Sequence, residues 1–408
     1  MNQPYATRLF CKLEVTRAGK IVILLIIAMT DSTVSLSSGV DAAGTKTARL
    51  MSLDALRGFD MFCIIGLEGL IDGLKKVSDN SLVQGVASQM NHVGWAGFHF
   101  EDLIFPMFVF IVGVSLVFSL TRTIEQHGRK GAAIRIFKRA ALMYLLGIFY
   151  YGGFGTPFEK IRLLGVLQRI ALCYMFAGLI FCYFEKRGRI LWCAGILVGY
   201  WFLLTFVPVP GGTAGNFAEG QNLTNWVDKN YLPLRKWDGD HDPEGLLSTL
   251  PAIANCLIGM FVGVWMRESK RNDIKKAMYL AGAGLILVTL GWLWNFQFPV
   301  IKKLWTSSFV FVACGYSCML LATFHLLIEG LGLKGWAQPF VWIGMNPITI
   351  YMMHCVIDMD KVAERFVGGD FGRLYLGRYE ELAMGLVIAV IVFAVARFMY
   401  QRKLFLRL

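Results

Sequence analysis

Charge is scarce along this chain: Asp, Glu, Lys and Arg make up 17% of its 408 residues, while 56% are hydrophobic. An ordinary soluble domain carries roughly a quarter charged residues, and the mean hydropathy of +0.55 excludes that class. Cysteine supplies no framework either. Eight of the nine (Cys63, Cys173, Cys182, Cys193, Cys256, Cys314, Cys318 and Cys355) lie in apolar runs, and no C-x-x-C spacing occurs. A disulfide scaffold and a zinc ribbon are therefore excluded. The formal charge is +12, yet no basic amphipathic face exists, because the Lys and Arg residues fall in short clusters between apolar runs. That distribution argues against a nucleic-acid partner. No internal repeat is visible.

What the chain does have is apolar runs of about 20 residues, the length that crosses a bilayer as a helix. About ten are present, near 56–74, 98–120, 134–151, 163–184, 190–207, 246–266, 277–298, 305–328, 338–357 and 381–400. An all-α polytopic membrane protein is expected, since backbone groups in lipid must be satisfied within each segment. Basic clusters fill alternate connections: 122–139, 186–189, 267–276 and the tail 397–407. The positive-inside rule assigns these to the cytoplasm, so both ends of the core are cytoplasmic and 75–97, 152–162, 208–245, 299–304 and 358–380 face outward. Residues 49–408 form the membrane domain, with 208–245 as an outer loop rich in Gly, Asn, Asp and Trp. Residues 1–48 stand apart. Their apolar stretch at 21–29 is too short to span, and an interfacial or disordered extension, or a start at Met51, is the expected reading.

Few ionisable groups remain once termini and connections are assigned. Arg169 is the one basic residue inside a run; an arginine at the centre of a span costs roughly 2.5 to 3.5 kcal/mol on insertion scales and calls for an anionic partner. Asp60, Glu68 and Asp102 are the nominees, and the arginine serves either as a helix-joining ion pair or as a substrate contact. His92 lies ten residues before Asp102, with Gly94 and Gly97 between them, just ahead of an apolar run. A histidine titrates near neutrality and a carboxylate orients its ring, which suits a general base. A loop histidine without a role, and a metal site built from His92, His99, Glu101 and Asp102, are the competing readings; the His-x6-His spacing fits no common ligand motif, so no metal is expected. His325 and His354 end apolar runs and are expected to reach the membrane interface, as are Trp192, Trp305, Trp342 and Tyr351. Asn346-Pro347 interrupts a late run with a polar side chain and a missing donor.

Taken in order, Arg49-Leu-Met-Ser-Leu-Asp-Ala-Leu-Arg-Gly58, Asn91-His-Val-Gly-Trp95, Glu101-Asp-Leu-Ile-Phe-Pro-Met-Phe-Val-Phe-Ile-Val-Gly113, Gly165-Val-Leu-Gln-Arg169, Asp242-Pro-Glu-Gly-Leu246, Leu304-Trp-Thr-Ser307 and Gly344-Met-Asn346 resemble the heparan-α-glucosaminide N-acetyltransferase family and its bacterial relatives. The resemblance implies a transmembrane acyltransferase that takes acetyl from cytoplasmic acetyl-CoA, a substrate rather than a resident cofactor. The acceptor it implies is an amino sugar or glycan beyond the membrane. It places the chain in a bacterial cytoplasmic membrane among lipid, leaves a homodimer open, and aligns His92 with the family's active-site histidine, with Asp102 and Arg169 on motif positions. Arg57, Arg122, Arg169 and Asn346 are then expected to contact the donor, guanidinium groups being suited to phosphate. The animal enzyme's large lumenal domain has no counterpart in residues 1–48, so heparan and a cell-envelope sugar both stand as acceptors. The rival reading is a proton-coupled secondary transporter of a small polar solute, which Asp60, Glu68 and Arg169 would also suit.

Overall fold

Helices follow from the apolar runs, and their breaks follow from a few polar or conformationally special residues. The computed structural model describes residues 50–405, so the expectations for residues 1–48 lie outside the described part. In chain order the principal helices begin with α1 (Met51–Phe62), α2 (Glu68–Val77), α3 (Ser81–Gln89) and α4 (Phe100–Tyr150). Next come α5 (Val166–Tyr183), α6 (Lys186–Phe206), α7 (Leu223–Tyr231), α8 (Thr249–Glu268) and α9 (Asp273–Trp294). The chain then forms α10 (Ser307–His325), α11 (Gln338–Gly344), α12 (Pro347–Val356), α13 (Met359–Val367) and α14 (Glu380–Gln401).

Among the described residues, seven helical segments are long and apolar enough to cross a membrane. The protein is thus all-helical and polytopic, and three local features separate seven from about ten. The runs at 98–120 and 134–151 both lie within α4, which bends at Gly128 where φ is +69° and ψ is 178°. The first run is divided by a π-helical turn, Cys63–Leu67, between α1 and α2. The run at 338–357 is divided at Asn346, between α11 and α12, because Pro347 lacks the amide that would continue the ladder.

Two compact units divide the chain, residues 50–77 with 336–405 and residues 78–335. In the larger unit α4 packs on α5 and α8, and α9 on α10. Glycine makes the first of these contacts close: a Cβ at Gly113 would stand 2.0 Å from the Cys256 carbonyl oxygen, and one at Gly259 would stand 2.1 Å from that of Phe110. Asn255 on α8 donates to the Pro106 carbonyl on α4 at 3.0 Å. A further cluster of Tyr200, Leu204, Phe298, Ile301 and Leu304, with Trp95 and Phe217 against it, anchors the loops at one end of the unit. In the smaller unit α1 meets α11 through Gly58 and Gly344, and α2 meets α14 through Gly73 and Gly385, each too tight for a side chain.

Candidate active site

Asp102 occupies the third position of α4, where its carboxylate reaches back to the helix start. Its Oδ2 accepts from the backbone N–H of His99 at 3.1 Å and of Val93 at 3.3 Å. A carboxylate is favoured there, because the first turn of a helix presents unpaired amides and a positive dipole end. Its other oxygen, Oδ1, lies 3.1 Å from His92 Nδ1. Asp102 is 1% exposed, whereas the His92 side chain is 59% exposed. The structure thus brings together the two residues that the sequence reading paired, one fixed and buried, the other held by it and open to ligands.

The segment between them is braced on several sides. Gly97 adopts φ +124°, a conformation that favours glycine, and its N–H donates to the Val300 carbonyl at 2.9 Å. Ala96 pairs with Ile301 in an isolated antiparallel bridge. Trp95 donates its indole N–H to the Phe217 carbonyl at 2.8 Å, tying the outer loop to the histidine segment. His99 Nδ1 contacts the Asn91 carbonyl at 2.8 Å, so His99 supports the loop.

Lys302, absent from the sequence-derived site, completes it. Its Nζ is 3.3 Å from Asp102 Oδ1 and 3.2 Å from His92 Nδ1. His92 Nδ1 therefore sits between an acceptor and a donor. If Nδ1–H donates to Asp102, Nε2 carries the lone pair and can act as a base; if Nδ1 accepts from Lys302, Nε2 carries the proton. A signal for Lys302 was present: Lys302 and Lys303 interrupt a connection that the positive-inside rule places outside, where basic residues are disfavoured.

A second, buried polar group was also missed. Arg162 pairs bidentately with Asp242, at 2.8 Å from Nε, and reaches Glu244 as well. Its guanidinium lies over the rings of Tyr151 and Trp237 at 4.7 and 5.0 Å. Burial alone would make Arg162 easier to deprotonate, but Glu244 and Asp242 outweigh it and raise its pKa. Asp228 accepts from the Leu246 N–H at 2.8 Å and the Asp242 N–H at 3.4 Å. Burial dominates those bonds and pushes its carboxyl up to about 6.

Arg169 is fully buried in α5 beside this group. Its Nη2 donates to Ser248 Oγ and, at 3.5 Å, to the Gly245 carbonyl. The nearby carboxylates are Glu244 and Asp242; Asp102 forms no ion pair with it among the described residues. The guanidinium also covers the Trp305 ring at 4.8 Å. Trp305 is 1% exposed, so it is a buried platform for that cation rather than the interfacial residue its position suggested. Nε and Nη1 of Arg169 have no hydrogen-bond partner among the described residues. His325 is likewise buried, 3.3 Å from Asp273, instead of reaching outward.

Three further residues are expected to contact the donor. Arg122 is exposed on α4. Arg57 pairs with Asp54 at 3.0 Å and donates to the Gly344 carbonyl at 3.3 Å. Asn346 donates to the Leu404 carbonyl at 2.9 Å, joining the break between α11 and α12 to the chain beyond α14.

Comparison with known proteins decides the relationship. The family described as heparan-alpha-glucosaminide N-acetyltransferase, catalytic, matches residues 49–296. The chain belongs to this family. The stretch holds His92, Asp102, Arg162 and Arg169, while Lys302 lies beyond it. Heparan-alpha-glucosaminide N-acetyltransferase of Homo sapiens is 26% identical, over 77% of this chain and 55% of its own length. The Mus musculus protein of that name is 24% identical, over 77% of this chain and 56% of its own. The chain therefore spans about half the length of these curated relatives.

Proposed function

We propose that this protein is a transmembrane acetyltransferase that moves acetyl from acetyl-CoA on the cytoplasmic side to an amino sugar or glycan on the outer side of a bacterial cytoplasmic membrane. The observation that carries the reading is the His92–Asp102 pair: a buried carboxylate, fixed by two amides, holding an exposed imidazole 3.1 Å away. With Nδ1–H donated to Asp102, Nε2 takes a proton from the acceptor amine as nitrogen attacks the thioester carbonyl. A C–N bond forms, the C–S bond breaks, and the proton passes to the departing coenzyme A thiolate. Lys302 pairs with the same Asp102 oxygen that faces His92. Arg122, in the basic connection assigned to the cytoplasm, offers an exposed guanidinium to donor phosphates. Arg169 brings two buried nitrogens that have no hydrogen-bond partner among the described residues.

The test is acetyl transfer by purified protein in detergent with labelled acetyl-CoA and glucosamine. Time-dependent labelling of the sugar supports the enzyme. Solute counterflow in liposomes without any acetyl transfer would establish the transporter reading instead.

A further inference from the structure

His241 lies in the connection between α7 and α8 and is 5% exposed. Its Nδ1 is 2.7 Å from Asp240 Oδ1. Since a carboxylate can only accept, Nδ1–H donates to it. Nε2 has no hydrogen-bond partner among the described residues. It faces Glu219 Oε1 at 3.7 Å and Asp238 Oδ2 at 3.8 Å. A buried ring nitrogen without a partner, set against two carboxylates, marks a place suited to a cation.

A protein cation is close by. Lys303 Nζ is 2.7 Å from Glu219 Oε1 and 2.9 Å from Asp238 Oδ2. Lys303 holds both carboxylates from a side chain that is 32% exposed, and among the described residues no hydrogen bond joins it to His241 Nε2. Around the group, Glu219, Asp238 and Asp240 face Lys303 and Lys229, the latter 3.3 Å from Asp240.

We propose that Glu219, Asp238 and His241 bind a divalent transition-metal ion of the zinc class, with Lys303 as the competing occupant. The three donor atoms lie within 4.8 Å of one another. Ligands about 2.0–2.1 Å from a tetrahedral zinc ion stand about 3.4 Å apart, so binding closes the two histidine edges, 3.7 and 3.8 Å, by a few tenths of an ångström and draws the two carboxylate oxygens together from within 4.8 Å. The donor set selects the ion: imidazole nitrogen with two carboxylates suits zinc, whereas calcium and magnesium prefer oxygen throughout. Asp240 supplies the outer carboxylate that metal-binding imidazoles commonly engage through their other nitrogen. Water would complete the coordination. The ion would join two ends of the outer loop, whose residue Phe217 receives the Trp95 indole N–H from the His92 segment. It would thereby brace the loop beside the candidate active site without entering the transfer step. This departs from the expectation that the protein holds no metal.

The test needs no acetyl-transfer readout. Full-length protein without a polyhistidine tag is purified in detergent, stripped with chelator and titrated with zinc chloride by calorimetry, and its thermal stability is followed in parallel. The wild type should bind one equivalent and melt at a higher temperature when loaded. His241→Ala and Asp238→Asn should each weaken binding at least tenfold, and Lys303→Met should tighten it by removing the competing ammonium. Monodispersity and helical circular dichroism verify folding of each variant. If His241→Ala does not fold, Asp238→Asn and Lys303→Met carry the decision. No saturable binding by either wild type or Lys303→Met would overturn the proposal. Binding that none of the three substitutions changes would also overturn it, by placing the zinc elsewhere.

Discussion

His92→Ala deletes a side chain that is 59% exposed and contributes little packing. Acetyl transfer should fall by about 10²- to 10⁴-fold, the usual loss for a positioned general base, with melting temperature in detergent unchanged. Wild-type turnover in that variant would remove His92 from the chemistry. Asp102→Asn should lower both quantities, since an amide oxygen can still accept from His99 and Val93 but its NH₂ then faces His92 Nδ1 and the Lys302 ammonium. Lys302→Met removes the ammonium 3.3 Å from Asp102 Oδ1 and 3.2 Å from His92 Nδ1 while leaving both residues in place. Acetyl transfer should fall about fivefold, the equivalent of the roughly 1 kcal/mol by which charges about 4 Å apart interact under water-like screening. Lys302→Arg should restore it. Equal losses in Lys302→Met and Lys302→Arg would mean that the charge at this position has no part in the reaction. The His–Asp pair was legible in the sequence because its members are close in the chain and chemically unusual at a span boundary. Lys302 lies 210 residues from His92, and only folding brings them together.

At the level of elements, apolar length foretold the helices well, but their interruptions depend on single residues. Gly128 looked like part of a basic connection, and the chain remains helical on both sides of its bend. The helix contacts were visible only as scattered glycines. Gly113→Ala should push α4 and α8 apart, because the new Cβ would begin 2.0 Å from the Cys256 carbonyl oxygen. Overpacking of this kind costs about 1–3 kcal/mol, which should appear as a lower melting temperature in detergent. Gly199→Ala on α6 meets nothing within 4 Å and should be neutral or slightly stabilising; equal losses for the two would refute the close-packing account. Helix α7 adds a pH effect. Burial raises the Asp228 carboxyl to about 6 from an ordinary 3.8. The folded protein therefore binds this proton more tightly than the unfolded chain does, and the associated stability is complete below about pH 4 and lost as pH rises through 6. Asp228→Asn should flatten that part of the melting-temperature profile, and an unchanged slope between pH 4 and 7 would assign it to other groups.

Across the whole molecule, the distribution of basic residues makes a claim about sidedness that does not depend on the family. Clusters at 122–139, 186–189, 267–276 and 397–407 belong inside by the positive-inside rule, and the connections between them belong outside. Lys302 and Lys303 break that pattern, and both are engaged by carboxylates, which explains how an outward connection tolerates them. Asn222 is a buried cap of α7, whereas Asn230 near the end of that helix is exposed and reports on the outer loop. Asn230→Cys and Asp370→Cys should react with an impermeant maleimide added outside cells, while His127→Cys should react only after permeabilisation. The parent protein sets the background, and among the described residues its cysteines are buried or half-buried. Donor and acceptor would then approach from opposite sides. In sealed vesicles of known orientation, acetyl-CoA loaded on the cytoplasmic face should support acetylation of glucosamine on the other, whereas donor supplied on the acceptor side should do so poorly. Equal transfer from either side would reject the cross-membrane reaction even with His92 essential, because a His–Asp base can serve a one-sided acetyltransferase just as well.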